Sequence, residues 1–140
     1  MRYLLDTNVC ARYLNGRSPA IRERLQSTNV EEIAVCSLVK AELFYGAMKS
    51  NNPQITLARQ QQFLNLFVSL PFDDVTALTY GRIRAELFAK GTPIGPNDFQ
   101  IAAIALTHNL TLVTHNTREF SRVNGLVIED WEQERTELGT

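Results

Sequence analysis

Three carboxylates stand where a chain of this kind does chemistry. Asp6 closes a short apolar stretch that begins at Arg2. Glu42 lies about one and a half turns into a helix that follows a second apolar run, residues 33–36, at about 3.6 residues per turn. Asp98 opens a helix after the loop GTPIGPND, where a first-turn position favours negative charge. Thr114, Asn116 and Glu119 follow a further apolar run, TLVT. Carboxylates brought within a few ångströms of one another raise each other's pKa or require a cation. Hard oxygen donors suit Mg²⁺, with Mn²⁺ as a substitute, and leave waters on the ion for a substrate. Such a hydrated ion lowers the pKa of a water and stabilises charge on a phosphoryl oxygen, the chemistry of phosphodiester hydrolysis. No histidine or cysteine spacing in the sequence fits zinc.

Taken singly, each acid has an ordinary reading. Asp6 caps the next helix, Glu42 is a half-exposed helical glutamate, and Asp98 is a helix-start acid. The chemical reading therefore rests on whether the fold brings them together. Arg2–Leu5 reads as a strand, Val9–Leu14 as a helix, and Ser18-Pro19 as a helix start running to about Gln26. Residues 33–36 have strand length, and Ser37 is placed to cap a helix from Leu38 to about Lys49. Asn51-Asn52-Pro53 breaks that helix and starts another carrying Ile55, Phe63, Leu64 and Phe67. Val68–Phe72 reads as a weaker strand. Asp73-Asp74 caps a helix from Val75 to Lys90, stopped by Gly91. A helix from Asn97 or Asp98 reaches Asn109, Leu110–Thr114 is a strand, and a last strand falls around Leu126–Ile128. Strands alternating with helices give an α/β fold with a mainly parallel central sheet flanked by helices. Ligands in such sheets bind beyond the carboxyl ends of the strands, which is where all these acids stand.

Length and composition set the frame. The chain has 140 residues, enough for one domain that buries a core without disulfides. Hydrophobic residues make up 44% and charged residues 21%, an ordinary globular balance. The net charge of −1 counts against a broad electrostatic grip on nucleic acid, so any polyanion contact falls to local clusters, Arg12, Arg17, Arg22 and Arg24 or Arg82, Arg84 and Lys90, which otherwise read as solvated helix faces. No apolar run reaches membrane-span length, and the N-terminus lacks a signal peptide's apolar region, so the expected location is the cytoplasm. Cys10 and Cys36 read as buried free thiols. His115 reads as a surface histidine, Glu86 as a secondary acid, Trp131 as a ring pinning the last strand to the body, and Leu43, Phe44, Phe63 and Phe67 as core or dimer contact.

Four segments, LLDTNV at 4–9, KAELFYGA at 40–47, RAELFAKGTPIGPNDFQIAA at 84–103 and LVTHNTREFSRVNGLVIEDW at 112–131, together resemble the PIN-domain ribonucleases, and among them the VapC-type toxins of bacterial toxin–antitoxin pairs. The resemblance implies a PIN domain over residues 1–131, and the charged, apolar-poor residues 132–140 read as a flexible tail. It implies Mg²⁺-dependent endoribonuclease activity that arrests growth, with transfer RNA a common target. It also implies a homodimer and a small cognate antitoxin. Asp6, Glu42 and Asp98 become the acidic metal-site residues. One departure stands out. Many PIN domains carry a fourth aspartate just after the last core strand, and here Asn116 stands nearest that place, with Glu119 three residues on. One Mg²⁺ held mainly by Asp6 and Asp98 is the expectation, with Glu42 acting through water and Asn116 or Glu119 completing the cage. Two other readings keep the α/β fold: a phosphotransferase with Asp6 as phosphate acceptor, disfavoured by Asn8 where a second aspartate belongs, and a non-catalytic binding module.

Overall fold

Strand β1 (Tyr3–Leu5) is buried along its whole length at the centre of a five-stranded sheet. The computed structural model describes residues 1–133. The elements that follow are α1 (Thr7–Leu14), α2 (Pro19–Gln26), a 3₁₀ turn (Val30–Glu32), β2 (Ile33–Cys36), α3 (Ser37–Met48), α4 (Pro53–Leu64) and β3 (Val68–Leu70). The second half comprises α5 (Asp74–Ala89), α6 (Pro96–Thr107), β4 (Thr111–Val113), α7 (Thr117–Phe120) and β5 (Ile128–Glu129). The strand order is β3-β2-β1-β4-β5, and every pairing is parallel. Parallel sheets are covered by helices on both faces, which is why IAVC of β2 is a continuous apolar run with all four residues buried.

The topology fixes where a ligand goes. The chain winds from β1 outward through β2 to β3, then returns to lay β4 on the other side of β1. A crevice opens at such a reversal, beyond the carboxyl ends of β1 and β4. The residues just past those ends are Asp6 and Thr114, and the register pairs Leu5 with Val113 directly before them.

Local chemistry sets the element ends. Ser18, Asn52 and Asp73 each accept a backbone N–H from three residues on, capping α2, α4 and α5. Gly91 closes α5 with φ +71°, its N–H donating to Phe88 O and that of Thr92 to Leu87 O, the paired bonds of a left-handed helix stop. Several boundaries differ from expectation. Ser37 is the first helical residue of α3, and the cap position falls to Cys36 without a side-chain bond. Helix α6 begins at Pro96, so Asp98 is its third residue rather than its cap. Strand β3 ends at Leu70 and the last strand is Ile128–Glu129, because the ladder along β4 reaches only Leu112 and Val113.

The core runs through β1, β2, β4 and the buried face of α6, with Leu43, Phe63 and Phe67 inside it and Phe44 packed against it. Trp131 is buried, edge-on to Tyr3, with its indole N–H donating to Glu129. It pins β5 to the sheet centre, as expected. Both cysteines are buried and free, and burial raises both thiols, so neither is a nucleophile. Glu132, assigned to the tail by the sequence, turns back and pairs with Arg12 of α1. Residues 134–140 lie outside the described residues.

Candidate active site

Asp6 is both the end of β1 and the N-cap of α1: its Oδ1 accepts the Val9 N–H at 2.9 Å. The apolar pattern places the start of this helix at Val9, but the capping bond starts it at Thr7. Asp6 is only 5% exposed. Burial is the main force on its carboxyl and pushes it from 3.8 up to about 6. The Thr114 hydroxyl and the Val9 N–H pull the other way, and the charges of Asp98 and Glu132 add to the rise. Thr114 is itself fully buried and accepts the Asn116 N–H, so β4 supplies a fixed hydroxyl at the crevice.

Asp98 is half-buried in the first turn of α6. Its carboxyl is raised, first by burial and then by the Glu119 and Glu42 carboxylates. Gly95, the cap of α6, leaves room for it: a Cβ there would meet Asp98 Oδ2 at 3.3 Å. Glu42 is held from α1, where the Thr7 hydroxyl donates to its Oε1 at 2.8 Å. Glu119 is held by Asn116, whose Nδ2 donates to Oε2 at 2.6 Å. The four expected acids and Asn116 therefore converge electrostatically on one crevice, each tied to a neutral donor or burial site of its own.

The acids do not clench into a tight ligand set. Among the described residues, the one group of three histidine, cysteine or acidic side chains with ligand atoms all within 4.8 Å is His115, Asp130 and Glu132. Glu42 and Glu119 are each held by a partner of their own, Thr7 and Asn116. The donor chemistry nonetheless fits Mg²⁺ or Mn²⁺: the side chains on offer carry carboxylate and amide oxygens, and a cation would offset the charge of an ionised Asp6 near Asp98.

Two cavities flank this crevice. One, about 340 Å³, reaches from Thr7 and Glu42 along Leu14 and Leu43 to Arg59 and Gln60. The other, about 530 Å³, is lined by Asn8, Arg12, His115, Asn116 and Glu132. His115 is a surface residue as expected, 64% exposed, but Asp130 and Glu132 gather around it, and no motif in the sequence singles those two acids out. Of the first arginine cluster, Arg12 and Arg24 are engaged with Glu132 and Glu129. Glu86 is exposed on α5.

The family model described as "PIN domain" matches residues 3–126. The chain is 41% identical over 131 residues to the tRNA(fMet)-specific endonuclease VapC of Salmonella typhimurium, covering 94% of this chain and 98% of that one. It is 37% identical to Ribonuclease VapC2 of Rickettsia felis, covering 95% and 100%. Among solved structures, DNA-bound VapBC from Salmonella typhimurium superposes with a TM-score of 0.89 at 41% identity, over 94% of this chain and 98% of that one. The chain belongs to the PIN-domain nucleases, of the VapC type. The five-stranded parallel sheet with acids at its carboxyl edge is that fold.

Proposed function

We propose that this chain is a Mg²⁺-dependent endoribonuclease, the toxin of a toxin–antitoxin pair, with transfer RNA as its substrate class and growth arrest as its outcome. One observation carries the reading. A buried aspartate caps α1 at the switch point of the sheet, and its carboxyl is raised chiefly by burial and further by the charge of a second aspartate. Buried, perturbed carboxylates in a crevice cluster at functional sites, and a cation would offset the charge of this one. The relative that shares 41% identity is named for cleavage of a specific transfer RNA, and this supports the substrate class.

In this reading Asp6 and Asp98 hold the ion, and Mn²⁺ substitutes for Mg²⁺. When bound, the ion stabilises charge on the phosphoryl oxygens and favours ionisation of a water. Glu42, oriented by Thr7, positions the attacking water and takes up its proton. Asn116 offers a neutral oxygen and Glu119 a carboxylate to complete the cage. Thr7 and Thr114 fix the acids, and the exposed Asn8 reaches the scissile phosphate from the rim.

A small VapB-like antitoxin is the proposed partner, since solved relatives are VapBC complexes. A homodimer is the proposed assembly and the cytoplasm the proposed location. No helix of the described residues is long and apolar enough to cross a membrane. The test is cleavage of a transfer RNA pool by purified protein with Mg²⁺, Mn²⁺ or chelator. Asp6→Asn and Asp98→Asn abolish cleavage and toxicity while circular dichroism stays native. Metal-independent cleavage, or full activity in Asp6→Asn, contradicts the proposal.

A further inference from the structure

The loop after β4 and the segment after β5 bring together ligand atoms that the acids around Asp6 do not use. His115 Nδ1 lies 2.9 Å from Asp130 Oδ2 and 3.5 Å from Glu132 Oε2. Each carboxylate is half occupied. Asp130 Oδ1 accepts the Glu132 N–H at 2.9 Å, and Glu132 Oε1 pairs with Arg12. The second oxygen of each faces the His115 ring. The two acid side chains are 7% and 11% exposed. Glu132 Oε2 is buried and has no hydrogen-bond partner among the described residues. A plain ionic clamp between α1 and the C-terminal segment accounts for Oε1 and leaves Oε2 facing only the His115 ring at 3.5 Å, a weak match for a buried carboxylate oxygen.

We propose that His115, Asp130 and Glu132 form a binding site for one zinc-type divalent ion, separate from the carboxylates around Asp6. Ligands bound to zinc at their usual lengths stand about 3.4 Å apart in a tetrahedron, and about 3.0 Å apart in tighter octahedral geometry. The 2.9 and 3.5 Å separations from Nδ1 lie near those edges, and the three ligand atoms all lie within 4.8 Å of one another. One imidazole with two carboxylates favours zinc over magnesium, which takes oxygen alone. The ion uses the Nδ1 lone pair, so the ring keeps its proton on Nε2. Arg12 and the Glu132 N–H hold the outer oxygens, as partners beyond the ligands do at metal sites. With the imidazole neutral, two carboxylates against one arginine leave a negative charge for the cation. The fourth position opens into the cavity of about 530 Å³ that also meets Asn8 and Asn116. The ion ties the strand-end loop carrying Asn116 to the segment after β5. It was illegible in sequence because Asp130 is fifteen residues from His115 and no short metal-ligand spacing links them.

The test uses tag-free, full-length protein carrying Asp6→Asn and Asp98→Asn, so that the sheet-edge acids cannot hold the probe. Zn²⁺ is titrated by calorimetry and thermal melting, and Co²⁺ by visible absorption. The expected result is one ion per chain, a raised melting temperature and a cobalt band of nitrogen–oxygen ligation. His115→Ala or Glu132→Gln in that background weakens Zn²⁺ by about 100-fold or more. His115 is exposed, so its replacement leaves folding intact, and zinc-induced shifts of the His115 ring signals in NMR report ligation with the histidine in place. No zinc binding by the folded protein overturns the proposal. So does binding that survives His115→Ala, or binding seen in the unsubstituted chain and lost with Asp6 and Asp98.

Discussion

The Thr7 hydroxyl donates to Glu42 Oε1 across 2.8 Å, so the residue next to Asp6 sets the orientation of an acid thirty-five positions away. Glu42 sits on α3, and its carboxylate would otherwise sample several rotamers at the half-exposed crevice. A bond to a charged acceptor of this kind contributes about 1.5–3 kcal/mol. Thr7→Val keeps the shape and removes the donor. It lowers kcat for RNA cleavage by about tenfold, as about 1.4 kcal/mol converts to rate, with KM little changed. Thr7→Ser restores the rate. An equal loss in Thr7→Val and Thr7→Ser would assign the effect to packing instead.

Asp6 makes the metal-free protein sensitive to pH in a defined direction. Its folded pKa, about 6, lies above the ordinary 3.8, chiefly through burial. The native state therefore holds the proton more tightly than the unfolded chain between those values. Stability from this group is complete below about pH 4 and is lost as pH rises through 6, by about 3 kcal/mol at most. In chelator at about pH 7.5, Asp6→Asn melts several degrees above the unsubstituted protein, because asparagine caps a helix as well as aspartate does and carries no charge. Added Mg²⁺ or Mn²⁺ raises the melting temperature of the unsubstituted protein and not of the variant. Melts of both proteins between about pH 4 and 8 check the sign.

Gly95 matters through Asp98. A methyl at Gly95 would sit 3.3 Å from Asp98 Oδ2, tighter than ordinary van der Waals contact. The φ of −61° is open to any residue, so the substitution strains contact and not backbone. Gly95→Ala moves the Asp98 carboxylate by a few tenths of an ångström and cuts RNA cleavage at limiting metal about tenfold, with rescue at high Mg²⁺. Its melting temperature stays near that of the unsubstituted chain. Activity titrated against Mg²⁺ separates a displaced ligand from a damaged fold.

What the sequence disclosed follows from what is local. Alternation of apolar runs with helical stretches gives the parallel sheet, and with it the expectation that Asp6, Glu42, Asp98 and Glu119 gather at one edge. Caps written in short patterns, such as Asp73 for α5 and Ser18 for α2, are legible for the same reason. The ends of β3 and β5 are not, since pairing with a neighbour strand decides where a short strand stops. Nor is the gathering of Arg12, His115, Asp130 and Glu132, which depends on the C-terminal segment folding back over α1. The seating of Trp131 against Tyr3 makes that return, and a ring in a sequence does not name the ring it packs on.

In the proposed site Asn116 takes the place of an additional acid, and its present bond indicates what such an acid would do. Its Nδ2 donates to Glu119 Oε2 at 2.6 Å, holding that carboxylate without adding charge. Asn116→Asp replaces the donor with a second carboxylate at the same distance. Without metal, the pair repels, and Asp98, which already feels Glu119, is pushed further toward its protonated form. The variant melts lower than the unsubstituted chain in chelator. With Mn²⁺ the order reverses, because the added charge meets a cation, and half-maximal RNA cleavage shifts to a lower metal concentration by about tenfold. Equal metal dependence in both proteins would place Asn116 outside the reach of the ion and leave Glu119 as the residue that completes the cage.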